Sequence, residues 1–254
     1  MRKALIVMFV IALIAVVIFI IDTPHRKSAA LVKAIKTEDY DRVEQMLKSG
    51  VDPNIGTTSD FAEFILNIVE SGGQRPISVA CDIGNFKIVK SLVDYGATTE
   101  VIEDDGDWSP LRYALFDYQP EDKEIIELLL NNGADVYEKG SYEPVVFTAA
   151  EMIPRKYYGE RINGTYYEDE YNSEVAKGIT EIVGFMLDYG NIDVNITKSN
   201  GDTLLIVASK KGNKELVEYL LSAGCDKTAK NKLDKTALDC AVETGNEEII
   251  NLLR

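Results

Sequence analysis

The stretch from Thr203 to Asp226 reads TLLIVASKKGNKELVEYLLSAGCD. It opens with a threonine and an apolar run that ends near Ala208. A second run, from Glu215 to Leu221, has the spacing that buries one broad face of a helix. Gly224 follows, and glycine suits the left-handed conformation in which many helices end. The stretch therefore predicts two short helices followed by a tight turn.

Turns of this kind divide the chain into similar units. Each consists of a helix end, a glycine and a short, often acidic segment, and the glycines are Gly50, Gly96, Gly133, Gly190 and Gly224. Their spacings are 46, 37, 57 and 34 residues. These values indicate a unit of about 33 residues that is interrupted by two large insertions and a small one.

Four segments mark the starts of first helices: RPISVA at 75–80, SPLRYA at 109–114, TLLIVA at 203–208 and TALDCA at 236–241. They resemble the T-P-L-H-x-A signature of ankyrin repeats. Ser109 or Thr203 can cap such a helix, and Pro110 stands where a missing N–H costs nothing. The histidine of the signature is absent from all of them, so the repeats are divergent.

The resemblance covers Ser28 to Arg254 as about six repeats. It implies an all-α ankyrin-repeat solenoid of helix–turn–helix units, with hairpin-like loops whose tips face a partner. The first unit lacks the signature, the fourth is degenerate at Glu143-Pro144-Val145-Val146, and the last stops at its second helix. Atypical end repeats are expected, because they present a polar outer face to water.

An unbroken apolar run extends from Ala4 to Ile21. As a helix it would be about 27 Å long, close to the thickness of the hydrocarbon core of a bilayer. We therefore predict a transmembrane span at 4–21, within an anchor and linker at 1–27, followed by an ankyrin-repeat domain at 28–254. A cleaved signal peptide is the alternative, although the run lacks an A-x-A-like cleavage site.

The side of the membrane stays open, because basic residues flank the apolar run on both ends. Arg2 and Lys3 precede it, and the basic residues that follow it are Arg26, Lys27, Lys33 and Lys36. We expect a single-pass membrane protein whose short linker, Asp22 to Lys27, holds the repeats near the bilayer.

Two insertions interrupt the repeats, near 55–72 and 152–178. The first contains Asp60 to Val69, which we interpret as an extra amphipathic helix. The second lies between the helices of the fourth repeat and carries Tyr157, Tyr158, Tyr166, Tyr167 and Tyr171. Because tyrosine offers a large contact area with few rotamers to freeze, these residues are candidates for partner binding. Packing of the rings onto the scaffold is the alternative.

The finger before the third repeat is acidic and ends in the chain's only tryptophan. Its candidate binding residues are Asp104, Asp105, Asp107 and Trp108. The ligand spacing of a calcium loop is absent, so a plain turn with glycine at the bend is favoured. Trp108 can anchor a partner or pack beneath the finger. The later tips are basic, with Lys198, Lys227, Lys230, Lys232 and Lys235.

The sequence lacks the motifs of catalytic, metal and cofactor sites. Its one histidine, His25, lies next to the apolar run, so neither an H-E-x-x-H zinc site nor a histidine-assisted nucleophile is supported. Cys81, Cys225 and Cys240 lack C-x-x-C spacing and stand at small-residue positions, where we expect buried apolar groups. We predict no catalytic residue, no metal site, no cofactor and no small-molecule substrate.

Charge narrows the class of partner. The chain has 27 basic and 42 acidic residues and a net charge of −15, which argues against nucleic-acid binding. We expect a membrane-tethered scaffold that binds a protein near the bilayer, with a basic toxin or effector as the sharper hypothesis. A structural spacer or oligomer organiser at the membrane is the alternative. An enzyme that uses only carboxylates is the third hypothesis.

Overall fold

The computed structural model describes residues 24, 26–56, 75–100, 108–116, 118, 122–137, 143–152, 155–158 and 167–254. The chain divides into two compact units, one of Met1–Thr98 with Asp105–Asp107 and one of Thr99–Asp104 with Trp108–Arg254. The predicted span 4–21 and the predicted helix at 60–69 lie outside the described residues. Within the described residues, no helix combines the length and apolarity needed to cross a bilayer.

The first unit is helical in its described part. Its helices are residues 26–36 (α1), Tyr40–Lys48 (α2), Pro76–Ile83 (α3) and Phe86–Asp94 (α4). Asp39 caps α2 by accepting from the Arg42 amide, and Asn85 caps α4 by accepting from the Ile88 amide. Helix α1 includes Arg26 and Lys27, which the sequence analysis places in the linker. The buried core includes Leu31, Ile35, Val43, Leu47, Ile77, Ile88 and Leu92.

The second unit consists of two layers of helices. The first-helix layer is Pro110–Leu115 (α5), Val145–Ala150 (α7), Leu204–Lys211 (α9) and Ala237–Thr244 (α11). The second-helix layer is Lys123–Asn131 (α6), Ser173–Tyr189 (α8), Lys214–Ser222 (α10) and Glu247–Leu253 (α12). Each helix packs on its partner in the same repeat and on the equivalent helix of the next repeat. This arrangement confirms the predicted helix–turn–helix units.

The helix starts follow from local capping. The Ser109 hydroxyl accepts from the Arg112 amide and the Thr203 hydroxyl from the Ile206 amide, while Pro110 occupies the first turn of α5, as predicted. At α11, Thr236 and Asp239 form a reciprocal capping box. These side chains satisfy amide groups that would otherwise lack partners at the helix ends.

The turns after the second helices explain why an acidic residue recurs there. In four of them a carboxylate oxygen accepts the amide two residues further on, at 2.8 Å each. The acceptors are Asp52, Asp135, Asp193 and Asp226. Such local bonds stabilise the turn without help from another repeat.

The fourth turn differs from the prediction in one respect. Gly190 has a φ of −81°, and the left-handed residue is Asn191, with a φ of 47°. Counted from Asn191, the next turn glycine, Gly224, is 33 residues away. Gly190 is needed for space instead, because a Cβ there would lie 2.7 Å from Val136 Cγ2 and 2.9 Å from Ile192 Cγ1. Asparagine tolerates the left-handed region, so the turn shifts by one residue.

The fourth repeat contains a β-hairpin that the sequence analysis did not predict. Strands Arg155–Tyr158 (β1) and Tyr167–Tyr171 (β2) form an antiparallel pair, with Tyr157 opposite Glu168 and Tyr158 opposite Tyr167. Helix α8 then begins at Ser173, so the insertion ends earlier than the predicted 178. The strands escape prediction because RKYY and YEDEY lack the alternation of apolar and polar residues that marks a half-buried strand.

Helix α8 carries glycines where neighbouring tyrosines cross it. A Cβ at Gly178 would lie 2.7 Å from the Tyr118 hydroxyl oxygen, and one at Gly184 would lie 3.0 Å from the Tyr219 hydroxyl oxygen. Tyr118 is buried in this contact, and burial raises the pKa of Tyr219. These glycines therefore serve close packing between the helix and its neighbours.

Candidate protein-binding surface

Three aromatic side chains meet at α5, and we call Trp108, Tyr113 and Phe116 the aromatic cluster. The Trp108 ring centroid lies 5.6 Å from that of Tyr113, with 49° between the planes. It lies 5.5 Å from that of Phe116, with 60° between the planes. Centroid distances and tilts of this kind are favourable for aromatic pairs, each worth about 0.5–1.5 kcal/mol beyond area burial.

The elements around α5 place these rings together. Trp108 directly precedes the capping residue Ser109, and Tyr113 and Phe116 are three residues apart, on the same face of a helical turn. Pro110 fixes the entry of the chain into α5. The cluster is therefore positioned by a capped helix: Trp108 precedes it, Tyr113 lies within it and Phe116 caps its end.

The rings pack on one another and still face solvent. Trp108 is 46% exposed and Phe116 is 52% exposed, while Tyr113 is half-buried. Trp108 therefore packs against Tyr113 and Phe116 and also faces solvent. Phe116 was missed by the sequence analysis, and the available signal was its spacing from Tyr113. The other candidates of this finger, Asp104, Asp105 and Asp107, lie outside the described residues.

Arg112 connects this helix to the next one in the first-helix layer. Its Nη1 donates to the Thr148 hydroxyl on α7 at 3.1 Å, and the side chain is half-buried. Because a guanidinium is always charged and loses little rotamer entropy per hydrogen bond, this contact orients α5 relative to α7. Arg112 thereby supports the helix that carries the aromatic cluster.

A charged cluster surrounds α7, and we call it the Lys198 cluster. It comprises Lys198, Glu143, Glu151 and the ring of Phe147. Lys198 Nζ lies 2.9 Å from Glu143 Oε2, pairs closely with Glu151 and stands 5.8 Å from the centroid of the Phe147 ring. Its side chain is only 13% exposed. The prediction that Lys198 contributes to a basic, partner-facing end is therefore wrong, because two carboxylates around α7 hold it.

The charges in this cluster stabilise one another. Burial opposes the charged form of Lys198, but hydrogen bonds from Nζ to Glu151 and Glu143 outweigh it and raise the lysine pKa. Burial likewise opposes ionisation of Glu143, yet Lys198 and the Ser199 hydroxyl, which donates to Oε1 at 3.0 Å, lower the Glu143 pKa. Both groups are therefore charged at neutral pH.

Two of the four lysines on the basic tips near the end of the chain are engaged in ion pairs. Lys230 lies 3.0 Å from Asp234, and Lys235 lies 2.6 Å from Glu243. These pairs are largely exposed and contribute little to stability. Asp234 and Glu243 thereby weaken the positive potential that these lysines would otherwise give the finger tips.

Asp202 is a buried carboxylate that joins two neighbouring fingers. It accepts from Asn231 Nδ2 at 2.7 Å, from Asn200 Nδ2 at 3.0 Å and from Lys210 Nζ at 2.6 Å. Burial alone would raise its pKa, but these donors lower it. The sequence analysis missed this residue, whose role is to hold adjacent repeats in register.

The predicted tyrosine candidates of the insertion are brought together in part. Tyr157 and Tyr158 lie on β1, and Tyr167 and Tyr171 lie on β2, so the hairpin register places Tyr158 opposite Tyr167. Tyr166 lies outside the described residues. The backbone thus concentrates these tyrosines on one hairpin between α7 and α8.

In the described part of the chain, neither the cysteines nor the acidic residues form an alternative candidate site. Cys81 and Cys240 are buried, as predicted, and Cys225 is half-buried. Burial raises the pKa of the Cys225 thiol to about 11, so it is protonated at neutral pH and is a poor nucleophile. Among the described residues, His, Cys, Asp and Glu side chains form no group suited to hold a metal ion.

The helical pairs, glycine turns and capped first helices define a repeat protein. A family model described as ankyrin repeats (3 copies) matches residues 31–139 and 174–254. The chain therefore belongs to the ankyrin-repeat family. The segment between the two matched regions contains the β1–β2 hairpin, which departs from the repeat pattern.

Relatives share the repeats over part of their length. A putative ankyrin repeat protein of Rickettsia bellii is 24% identical over 207 residues, 80% of this chain and 54% of that protein. One from Coxiella burnetii is 49% identical over 57 residues, 22% and 17% of the two chains. The NAD-capped RNA hydrolase NUDT12 of Homo sapiens is 39% identical over 85 residues, 33% of this chain and 18% of the relative.

A solved structure shows the same fold. The structure titled Bd0816 predatory endopeptidase from Bdellovibrio bacteriovorus in complex with immunity protein Bd3460 contains a chain that matches with a TM-score of 0.59. The match is 23% identical and covers 89% of this chain and 97% of that one. At this identity the likeness supports the fold alone.

Proposed function

We propose that this chain is a membrane-tethered ankyrin-repeat scaffold that binds a basic protein close to the bilayer. The observation that carries the proposal is the aromatic cluster, in which Trp108 and Phe116 remain about half exposed beside the capped helix α5. Ankyrin repeats are typical of protein–protein interaction scaffolds. The proposal therefore adds a location and a partner type to what the family indicates.

The residue types of the cluster suit an interface. Trp and Tyr are enriched among residues whose truncation costs about 2 kcal/mol or more of binding energy, and they act best when a partner excludes water from them. Phe116 adds apolar area beside Trp108, with which it is already in contact. A partner that covers these rings gains hydrophobic stabilisation without first ordering them.

The electrostatic balance supports a basic partner. The net charge of −15 attracts positively charged proteins, and the basic tips at Lys230 and Lys235 are engaged in ion pairs with acidic neighbours. We infer a toxin or effector with a basic surface. The endopeptidase and the immunity protein are the components of the Bdellovibrio structure, and the partner type of this chain follows from charge alone.

Tethering rests on the apolar run 4–21. Helix α1 already includes residue 26, so few residues separate this run from the first repeat. Extended chain spans at most about 3.6 Å per residue, so such a segment holds the repeats close to the membrane. Membrane fractionation followed by protease accessibility in intact cells tests the tether and its sidedness. Recovery of the full chain in the soluble fraction would contradict the tether.

A photo-crosslinking amino acid at position 116 of the full chain tests partner binding in native membranes. We expect one basic protein to be captured at this position. Position 218 on α10 is the matched control, because Glu218 lies on the second-helix layer and its side chain is 49% exposed. A third crosslinker at position 171 tests the tyrosine hairpin. Equal capture from positions 116 and 218, or none from either, would contradict the proposed surface.

A structural spacer at the membrane is less well supported. A spacer has no need of exposed aromatic residues beside the first-helix layer, so it leaves the exposure of Trp108 and Phe116 unexplained. An enzyme that uses only carboxylates receives no support from Glu143 and Asp202, because ion pairs and hydrogen bonds lower the pKa of both groups. The binding scaffold is the function that accounts for the cluster.

A further inference from the structure

We propose that the sixth repeat carries a second protein-binding surface, which receives a basic amphipathic helix of a partner protein. Three residues define this surface, Leu238 and Val242 on α11 and Glu247 on α12, and we call them the end face. The end face is separate from the aromatic cluster at α5. It therefore goes beyond the proposed function and depends on neither the membrane tether nor the exposed rings.

The end face has apolar side chains at positions that are buried in the preceding repeat. Leu238 and Val242 are four residues apart, so they share one side of α11. Leu238 is half-buried and Val242 is 57% exposed. The residues 33 positions earlier, Leu205 and Ser209, are fully buried on α9, which packs on both α7 and α11. The side of α11 that corresponds to the covered side of α9 is thus apolar and open to solvent, which suits a packed helix.

Contacts between successive second helices follow one pattern in the second unit. Lys123 begins α6 and pairs with Glu181 on α8. Lys214 begins α10 and lies 3.0 Å from Glu248 on α12. In both cases the first residue of a second helix binds the opposite charge on the following second helix. Such exposed pairs add little stability, yet they show that this position reaches the next element of the solenoid.

The first unit has the same contact with a different chemistry. The Nζ of Lys87 on α4 lies 5.3 Å from the ring centroid of Tyr40, which begins α2. Glu247 begins α12 and so occupies the position that Lys123 and Lys214 hold in earlier repeats. It is exposed, and among the described residues it has no ion-pair partner. The residue that would contact a following helix is therefore a free carboxylate, which favours a cation.

A second copy of this chain would fit the end face poorly. If its first repeat continued the stack, the residue opposite Glu247 would be Asp41, which is second in α2 as Glu248 is second in α12. Two carboxylates repel each other at such a contact. A partner helix with apolar residues on one side and a lysine or arginine in its first turn instead satisfies both the apolar side of α11 and Glu247. Charge thus selects a basic partner helix over a second copy.

Labelled helical peptides of about 15 residues serve as probes, since shorter alanine-rich helices are marginal in water. Each has two leucines four residues apart in an alanine background, and the polar positions are lysine in one peptide and glutamate in the other. Fluorescence anisotropy follows their binding to the full chain in neutral detergent micelles. We expect the lysine peptide to bind in a saturable manner and the glutamate peptide not to bind. A third peptide, of the lysine composition but with its leucines on opposite sides, should bind more weakly.

Glu247→Lys tests the charge of the end face, and Glu174→Lys is its matched control. Both residues are exposed glutamates in the first turn of a second-layer helix that an asparagine caps. Both substitutions change the net charge equally, so general attraction to a basic peptide falls by the same amount. We expect the affinity for the lysine peptide to fall about three- to tenfold with Glu247→Lys and less than about twofold with Glu174→Lys.

Val242→Ser tests the apolar part of the end face and introduces the residue that stands at the equivalent position, Ser209. The affinity for the lysine peptide should fall about three- to tenfold, because the apolar area that the peptide would cover is lost. Tyr137→Ser is the control, since it removes a larger exposed side chain from another finger, and it should leave the affinity unchanged. Unchanged thermal melting of the four variants excludes unfolding, and partitioning of the peptide into detergent is the same for all.

Three results would overturn the end face. Equal losses with Glu247→Lys and Glu174→Lys would mean that binding follows net charge alone. A loss with Phe116→Leu as large as that with Val242→Ser would place the peptide on the aromatic cluster. Self-association of the full chain that Val242→Ser abolishes, measured by sedimentation velocity, would show that a second copy covers this surface. Absence of a captured partner at position 116 would instead count against the proposed function and leave the end face standing.

Discussion

At the scale of single residues, the fourth turn has a glycine at the same place as the other turns, but that glycine does not adopt their left-handed conformation. The sequence places a glycine at 190 in line with Gly133 and Gly224, and those two do adopt positive φ. At the fourth turn the left-handed residue is Asn191, and Gly190 is confined by Val136 and Ile192. Glycine is thus required at equivalent positions of the turns for two different reasons. Gly133 and Gly224 supply a left-handed conformation, and Gly190 supplies space.

This difference predicts opposite outcomes for two adjacent substitutions. Gly190→Ala should lower the free energy of unfolding by about 1–3 kcal/mol, because its Cβ would overlap Val136 and Ile192 in a packed interior. Asn191→Gly should change it by less than about 1 kcal/mol or raise it, because glycine adopts a positive φ without strain. Urea denaturation of both variants measures the two values. A tolerated alanine at position 190 would contradict the confinement of Gly190 by Val136 and Ile192, and a harmful glycine at position 191 would contradict the left-handed conformation of Asn191.

At the scale of elements, local signals were predictable and distant pairings were not. The starts of α5 and α9 followed from Ser109 and Thr203, because capping involves residues only three apart. The hairpin was missed, since its strands carry no alternating pattern. Lys198 was misassigned for another reason, because its carboxylate partners are 47 and 55 residues away and no periodicity connects them.

The Lys198 cluster predicts a pH-dependent contribution to stability. Its lysine pKa is raised from 10.5, so that contribution is present below pH 10.5 and is lost as the pH rises through the folded pKa. The Glu143 pKa is lowered from 4.5, so its contribution is present above pH 4.5 and is lost as the pH falls through the folded pKa. The stabilisation is therefore greatest between these two values.

Lys198→Met should remove this stabilisation and leave two carboxylates without their shared cation. We expect a loss of about 1–3 kcal/mol near neutral pH, and the difference from wild type should shrink below pH 4.5 and above pH 10.5. Lys230→Met breaks an exposed pair and should cost less than about 1 kcal/mol. Denaturation at several pH values tests both. A pH-independent loss would mean that Lys198 acts through packing against Phe147 instead.

At the scale of the whole molecule, charge is the property that composition predicts best. The acidic excess of the sequence gives a net charge of −15. The structure engages several of the later lysines in ion pairs with acidic neighbours. The repeat architecture was equally predictable, because each unit carries its own caps and turns. The aromatic cluster was predicted only in part, since Trp108 is conspicuous in the sequence and Phe116 is not.

The net charge predicts how binding of the partner captured at position 116 depends on salt. Attraction between an acidic chain and a basic protein is screened by salt, over about 10 Å at 0.1 M and about 3 Å at 1 M. The affinity should therefore fall as salt rises, mainly through a slower association rate, because long-range attraction steers the encounter. Phe116→Leu should instead increase the dissociation rate at every salt concentration, since its ring acts only after contact. Surface plasmon resonance separates the two rates, and an association rate that does not respond to salt would contradict a basic partner.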